Sequence, residues 1–187
     1  MIGYSIRSSE FTNNPPSLAI GAGRDKTWMY PAQPKEDSYW ICFISAQNPR
    51  EKVKEWVIPG SQNSTVPAGI DTYMNDPGYL FVVATQTLST LHVPQGNFYD
   101  FLAKYGAGRE LQRLEQINSV YGCGSFGQMS YVLTSQGGPR DPKKPAPASY
   151  EAGSVTQYSA MLLMSLMASA NGGPPWSICD SYSFVTR

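Results

Sequence analysis

The chain has 187 residues, a length that suits one domain or one domain with an extension. Hydrophobic residues make up 41% of it and charged residues only 15%, with 14 Lys+Arg against 14 Asp+Glu. That balance argues against nucleic acid as a partner, because such binders carry a basic excess or patch, and the one basic cluster here is Arg140, Lys143 and Lys144 in a proline-rich loop.

Low charge with 12 Tyr and 4 Trp favours assembly or neutral ligands over charged ones. The longest apolar run, Tyr158 to Ala170, falls short of the about 20 residues that a membrane span needs. Met1 to Glu10 is polar and shows no signal peptide, which favours the cytoplasm. Cys42, Cys123 and Cys179 are an odd number with no CxxC spacing, so neither a disulfide scaffold nor a zinc site is expected, and one disulfide with one free thiol stays open. No cofactor is implied.

In chain order, residues 1–37 are rich in Pro, Gly, Ser and Asn and read as an N-terminal arm. Tyr4 and Ile6 suit an edge strand there, and Ser17 to Ile20 another. Ser38 to Ala46 is apolar on both faces and predicts a central strand, with Val53 to Ile58 as its hairpin partner. A short helix is expected after Thr65, with Ile70, Tyr73 and Met74 on its apolar face. Tyr79 to Thr85 is a continuous apolar run, the mark of a buried strand. Asn97 then caps a helix carrying Phe98, Phe101, Leu102 and Tyr105, closed by Gly106. Arg109 to Tyr121 is a second helix. Phe126 to Thr134 is a strand with Met129, Tyr131 and Leu133 on one face. Residues 139–153 form a proline-rich loop. Val155 to Ala170 is open between helix and strand, and its Met and Leu content favours helix. Trp176 to Val185 alternates as a last strand. The domain reading is an arm (1–37), an α+β core (38–138), the loop (139–153) and a C-terminal helix-strand extension (154–187). The fold class is α+β: a mixed sheet or sandwich with two to three short helices packed on it.

The candidate chemistry is sparse. GAGRDK at Gly21 to Lys26 lacks the spacing of a phosphate loop and reads as a glycine turn. In GCGSFG, Gly122 to Gly127, a glycine-flanked Cys123 could serve as a nucleophile. His92, the only histidine, would be its base. The helix-before-strand order is the reverse of a nucleophile elbow. Carboxylates form no paired acid-base set, and no His/Asp/Glu cluster suggests a metal. The aromatics Trp28, Tyr30, Tyr39, Trp40 and Trp56 suit stacking on a sugar, anchoring a partner or filling a core.

The order of elements, with YLFVVAT at Tyr79 to Thr85, SYVLTSQGG at Ser130 to Gly138 and SYEAG at Ser149 to Gly153, resembles the interleukin-like EMT inducer (ILEI) domain family. The resemblance spans about residues 38–153. It implies a β-sandwich with helices outside and a role as a binding module, in some members for carbohydrate. The family often carries acidic residues after its middle strand, where this chain has Gln86 and Thr87. Gln128 stands where sugar-binding members place an arginine. The expected role is therefore a non-catalytic binding or assembly module for a protein partner, a further copy of itself or a glycan. Its expected ligand-binding residues are Gln86, Thr87, His92, Gln128, Trp28 and Trp40. The alternative is a hydrolase or transferase with Cys123 as nucleophile and His92 as base.

Overall fold

β4 (Ser38–Ser45) decides the architecture, because it is buried along both faces. Successive side chains of a strand point to opposite sides. Tyr39, Ile41 and Phe43 fall into one apolar cluster, and Trp40, Cys42 and Ile44 into another. A strand with two buried faces needs a layer on each. The structure is a computed structural model that describes residues 1–9, 13–121, 127–140, 143, 146–154, 159–173 and 175–186, and it supplies both layers.

The sheet that holds β4 also contains β5 (Lys52–Pro59), β6 (Tyr79–Gln86), β7 (Leu88–Ser89), β8 (Gln128–Gln136) and β9 (Ser149–Ser154). Its order is β5-β4-β6-β8, with β7 and β9 both paired to β8. The helices α1 (Asp71–Met74), α2 (Gly96–Lys104) and α3 (Arg109–Tyr121) contribute to one cluster with it. Phe98, Phe101 and Leu102 of α2 and Leu111 and Leu114 of α3 meet Tyr39, Phe81 and Tyr131 there. Phe98 packs edge-on to Tyr39 and Phe101 edge-on to Phe81. Each such buried side chain contributes about 1.5–3 kcal/mol.

The second cluster joins this sheet to another. Its strands are β1 (Ile2–Arg7), β2 (Ser17–Ile20), β3 (Thr27–Met29), β10 (Ser159–Met167) and β11 (Ser177–Thr186), in the order β11-β10-β1-β2-β3. The 37 residues at the start of the chain thus supply three strands of this sheet. The C-terminal segment supplies the other two. The described strand pairings are antiparallel, and an isolated bridge between Ser9 and Gln86 is parallel. Tyr4 of one sheet bonds to Thr134 Oγ1 of the other at 3.0 Å. Burial pushes the Tyr4 phenol pKa far up, so the hydroxyl stays protonated.

The α+β expectation holds in outline, with three corrections at the level of elements. Val155 to Ala170 favoured helix, but Ser159–Met167 is strand β10. Ala160, Leu162, Met164 and Leu166 point inward, while Leu163 and Met167 are 41% and 50% exposed. Pairing with β1 on one side and β11 on the other overrides the helix propensity of Met and Leu. Residues 155–158 lie outside the described residues. Ser149–Ser154 is also a strand, β9, where most of it was expected to be loop. Finally, the N-cap position of α2 is Gln95 rather than Asn97: the Gln95 carbonyl accepts the Phe98 and Tyr99 N–H groups, and its side chain makes no cap bond.

Candidate functional site

The chain that follows β6 is fastened to the scaffold at almost every residue. Gln86 is 2% and Thr87 7% exposed. Thr87 has φ +43°, and its N–H donates to Ser9 O at 2.7 Å. The Thr87 hydroxyl accepts the N–H of Asp37 at 3.1 Å, and Asp37 itself has φ +50°. The Asp37 carboxylate accepts the Ser89 N–H at 2.9 Å and lies 2.8 Å from His92 Nδ1. Tyr39 donates its hydroxyl to His92 O. Asn63 Nδ2 donates to Val93 O at 2.8 Å, and Gln95 N–H donates to Asn63 O at 2.9 Å. The N–H and hydroxyl of Thr90 both donate to Gly127 O, each at 3.1 Å.

This places four of the six expected binding residues at one end of the sheet. Gln86, Thr87 and His92 lie on the fastened segment. Gln128 is exposed at the start of β8, opposite Ser89. The other two lie elsewhere. Trp40 is 1% exposed within the cluster between the sheets, and its indole N–H donates to Glu55 Oε2 at 2.9 Å. Trp28 belongs to β3, at the edge of the second sheet, and is 51% exposed. Cys123, the nucleophile of the alternative reading, lies outside the described residues.

Two groups escaped sequence reasoning. Asp37 has no local signature that ties it to His92, which lies 55 positions on. Gly60 completes that contact. A Cβ at residue 60 would sit 2.5 Å from Asp37 Oδ1 and 2.7 Å from His92 Nδ1, so only glycine lets the two side chains close over it. The bond from Nδ1 to a carboxylate leaves Nε2 as the other ring nitrogen, which is the arrangement of an oriented imidazole.

Trp28 has its own setting. Its ring is nearly parallel to that of Tyr30, with 12° between planes and 6.3 Å between centroids. Lys26 Nζ lies 4.9 Å from the Trp28 ring. Tyr30 is also exposed. Side chains of the β5 region hold the free edge of β3 in place. Arg50 donates to Asp25 O at 2.6 Å and to Thr27 Oγ1 at 3.0 Å, and Lys52 Nζ donates to Tyr30 O at 3.0 Å. Glu55 accepts the Ala32 N–H at 3.0 Å and is paired with Lys52 at 2.9 Å. The exposed aromatic pair therefore stands on a backbone that is bonded on both sides.

Shallow hollows among the described residues include two near the helices and β5. One, of about 300 Å³, is lined by Pro94, Gln95, Gly96, Tyr99 and Glu115 at the start of α2. Burial, then the charges of Glu115, Asp100 and Glu151, raises the Tyr99 phenol pKa. The other, of about 250 Å³, has Trp56, Gln62 and Pro67 in its wall. Among the described residues no group of three or more His, Cys, Asp or Glu could hold a metal, and no helix is long and apolar enough to cross a membrane. No protein-family model matches the chain, and no curated protein matches it.

Proposed function

We propose that the chain is a non-catalytic binding or assembly module, with an ILEI-like arrangement in which the two sheets face each other as a sandwich. The sequence of β4, β5, α1, β6, α2 and β8 follows the order on which that resemblance rests. The observation that carries the functional reading is the Trp28–Tyr30 pair. Two large aromatics left half exposed, at 51% and 44%, forgo part of a burial that is worth about 1.5–3 kcal/mol per side chain when complete. Their backbone is held by Arg50, Lys52 and Glu55, so little order remains to be lost when a partner docks. Trp and Tyr in such positions are the residue types that anchor interfaces. The segment from Gln86 to Gln95 supports the site region as a rigid end of the sheet, with Gln128 exposed beside it.

The test combines a glycan array with light scattering on the intact protein and on a Trp28→Ala/Tyr30→Ala double variant. Binding or self-association that weakens at least tenfold in the variant supports the reading. A clean monomer that takes no glycan sinks it. One observation favours a second reading, a Cys-dependent enzyme: the Asp37–His92 contact orients an imidazole as a general base would need. Alkylation with iodoacetamide near neutral pH decides it. A Cys123 that reacts no faster than a model thiol removes the nucleophile.

A further inference from the structure

The face of the β4 sheet that meets the second sheet is built in rungs. Trp40, Ala84, Val132 and Ala152 stand in register across β4, β6, β8 and β9, all in the apolar cluster. One step toward the end of the sheet, the same face carries Ser38 beside Gln86, and Ser130 beside Ser154. These four polar residues are between 0% and 5% exposed. The apolar interior thus ends in a buried polar rung.

At that rung β6 and β8 part. Their pairing stops at Ala84 and Val132, and the Tyr131 N–H turns to the hydroxyl of Thr85 at 2.9 Å. Ser9 takes up the backbone that is released. Its N–H donates to Thr85 O at 2.9 Å, and its carbonyl accepts the Thr87 N–H. Ser8, one residue earlier, is bonded to Ala160 of the second sheet. The chain therefore crosses between the sheets at this point, and it satisfies the main chain as it goes. Two side-chain atoms are left over. Gln86 Oε1 and Ser130 Oγ are fully buried and have no hydrogen-bond partner, and both residues continue the inward face of Ala84 and Val132, the last pair of the β6–β8 ladder. An unpaired buried acceptor or hydroxyl is costly enough that native structures rarely leave two together.

We propose that Gln86 and Ser130 share a buried site for one neutral, water-sized molecule, which donates to Gln86 Oε1 and bonds the Ser130 hydroxyl where the strands part. An ion does not fit the chemistry. The side chains of the rung itself, Ser38, Gln86, Ser130 and Ser154, are all uncharged, and a buried ion without a countercharge is strongly disfavoured. A water bridging the two strands restores the interstrand link that the ladder loses beyond Ala84. The site is independent of the aromatic pair and of any partner bound there.

The experiment is NMR detection of long-lived water on the intact, isotopically labelled protein. Contacts from one slowly exchanging water to the Gln86 side-chain amide and to Ser130 are the expected result, and they disappear in a Gln86→Leu/Ser130→Ala double variant. If that variant does not fold, Ser130→Ala alone decides, since it should speed exchange of the water at Gln86 at least tenfold. The absence of a slow water in the unaltered protein overturns the proposal. So does a contact that persists unchanged when the hydroxyl is gone.

Discussion

Asp37 donates its backbone N–H to the hydroxyl of Thr87 at 3.1 Å, and both residues hold positive φ, at 50° and 43°. Side chains other than glycine rarely accept that region, so each is held there by its surroundings. The Asp37 carboxylate explains its half. It takes the Ser89 N–H and faces His92, while the Asp37 carbonyl takes the Gly60 N–H at 2.6 Å. Asp37→Asn keeps the tolerance for this backbone and one acceptor oxygen, and should cost about 0.5–1.5 kcal/mol. Asp37→Ala loses both and should cost about 2–3 kcal/mol. Urea denaturation of the pair reads the difference. An alanine variant no weaker than the asparagine one means that the carboxylate does not hold this turn.

Gly60 tests the same contact from the other side. The added methyl of Gly60→Ala would overlap Asp37 Oδ1 and His92 Nδ1, so one of them must move. Overpacking of this kind costs about 1–3 kcal/mol. The His92 ring signals should shift in NMR spectra while those of Trp28, on the other sheet, stay put. Unmoved His92 signals would show that the carboxylate and the imidazole are not in contact.

Glu55 gives the chain a defined acid sensitivity. Burial would raise its pKa, but hydrogen bonds from Lys52, the Trp40 indole and the Ala32 N–H outweigh that and hold it below the ordinary value of 4.5. A carboxylate whose pKa is lowered on folding contributes stability that is complete above its unfolded pKa. That contribution is lost as the pH falls through the lower, folded value. Stability should therefore be flat with respect to this group above about pH 5 and decline below it. Glu55→Gln should lose about 1–3 kcal/mol near neutral pH and show a shallower acid decline. Thermal melts of both proteins across the acid range check this. An unchanged acid slope in the glutamine variant would assign the sensitivity to other groups.

A strand residue caps α3. Glu151 of β9 accepts the N–H groups of Gly108 at 2.9 Å, Glu110 at 2.8 Å and Leu111 at 3.3 Å, and it takes the Tyr131 hydroxyl at 2.7 Å. Helix starts leave such donors without partners, and an anion there also meets the positive end of the helix dipole. Glu151→Ala should cost about 2–3 kcal/mol, with faster hydrogen exchange at Glu110 and Leu111. Tyr131→Phe should leave those amides protected, because the backbone bonds survive. Equal exchange in the two variants would remove the capping role.

Much of this fold is legible where one residue set carries one period. β4 and β6 show burial on both faces in their own composition, and the Phe98, Phe101, Leu102 stripe marks α2 without help from elsewhere. β10 is not legible in that way, because its outward positions Met161, Leu163 and Met167 are as apolar as its inward ones. The partner that decides its conformation is β1, more than 150 positions away in sequence. The site divides along similar lines. His92 stands out as the only histidine, but Asp37 reaches it from the turn before β4 and Gly60 from the turn after β5. Composition cannot separate Trp28 from Trp40. A position at the edge of the second sheet leaves the first in solvent, and the packing of the two sheets covers the second.

The neighbours Leu162 and Leu163 test the β10 register directly. In a buried helix apolar on all sides, both would be enclosed. In the strand, Leu162 faces the second cluster at 0% exposure, paired with Ile6, while Leu163 lies on the outer face at 41%, opposite Ser5. Leu162→Ala should cost about 2–5 kcal/mol through the cavity it leaves. Leu163→Ala should stay within about 0.5 kcal/mol of the parent, as surface changes do. Denaturant midpoints with an unchanged slope give both values on one scale. Comparable losses at the two positions would mean that residues 159–167 do not alternate, and that the outer face of this sheet is covered.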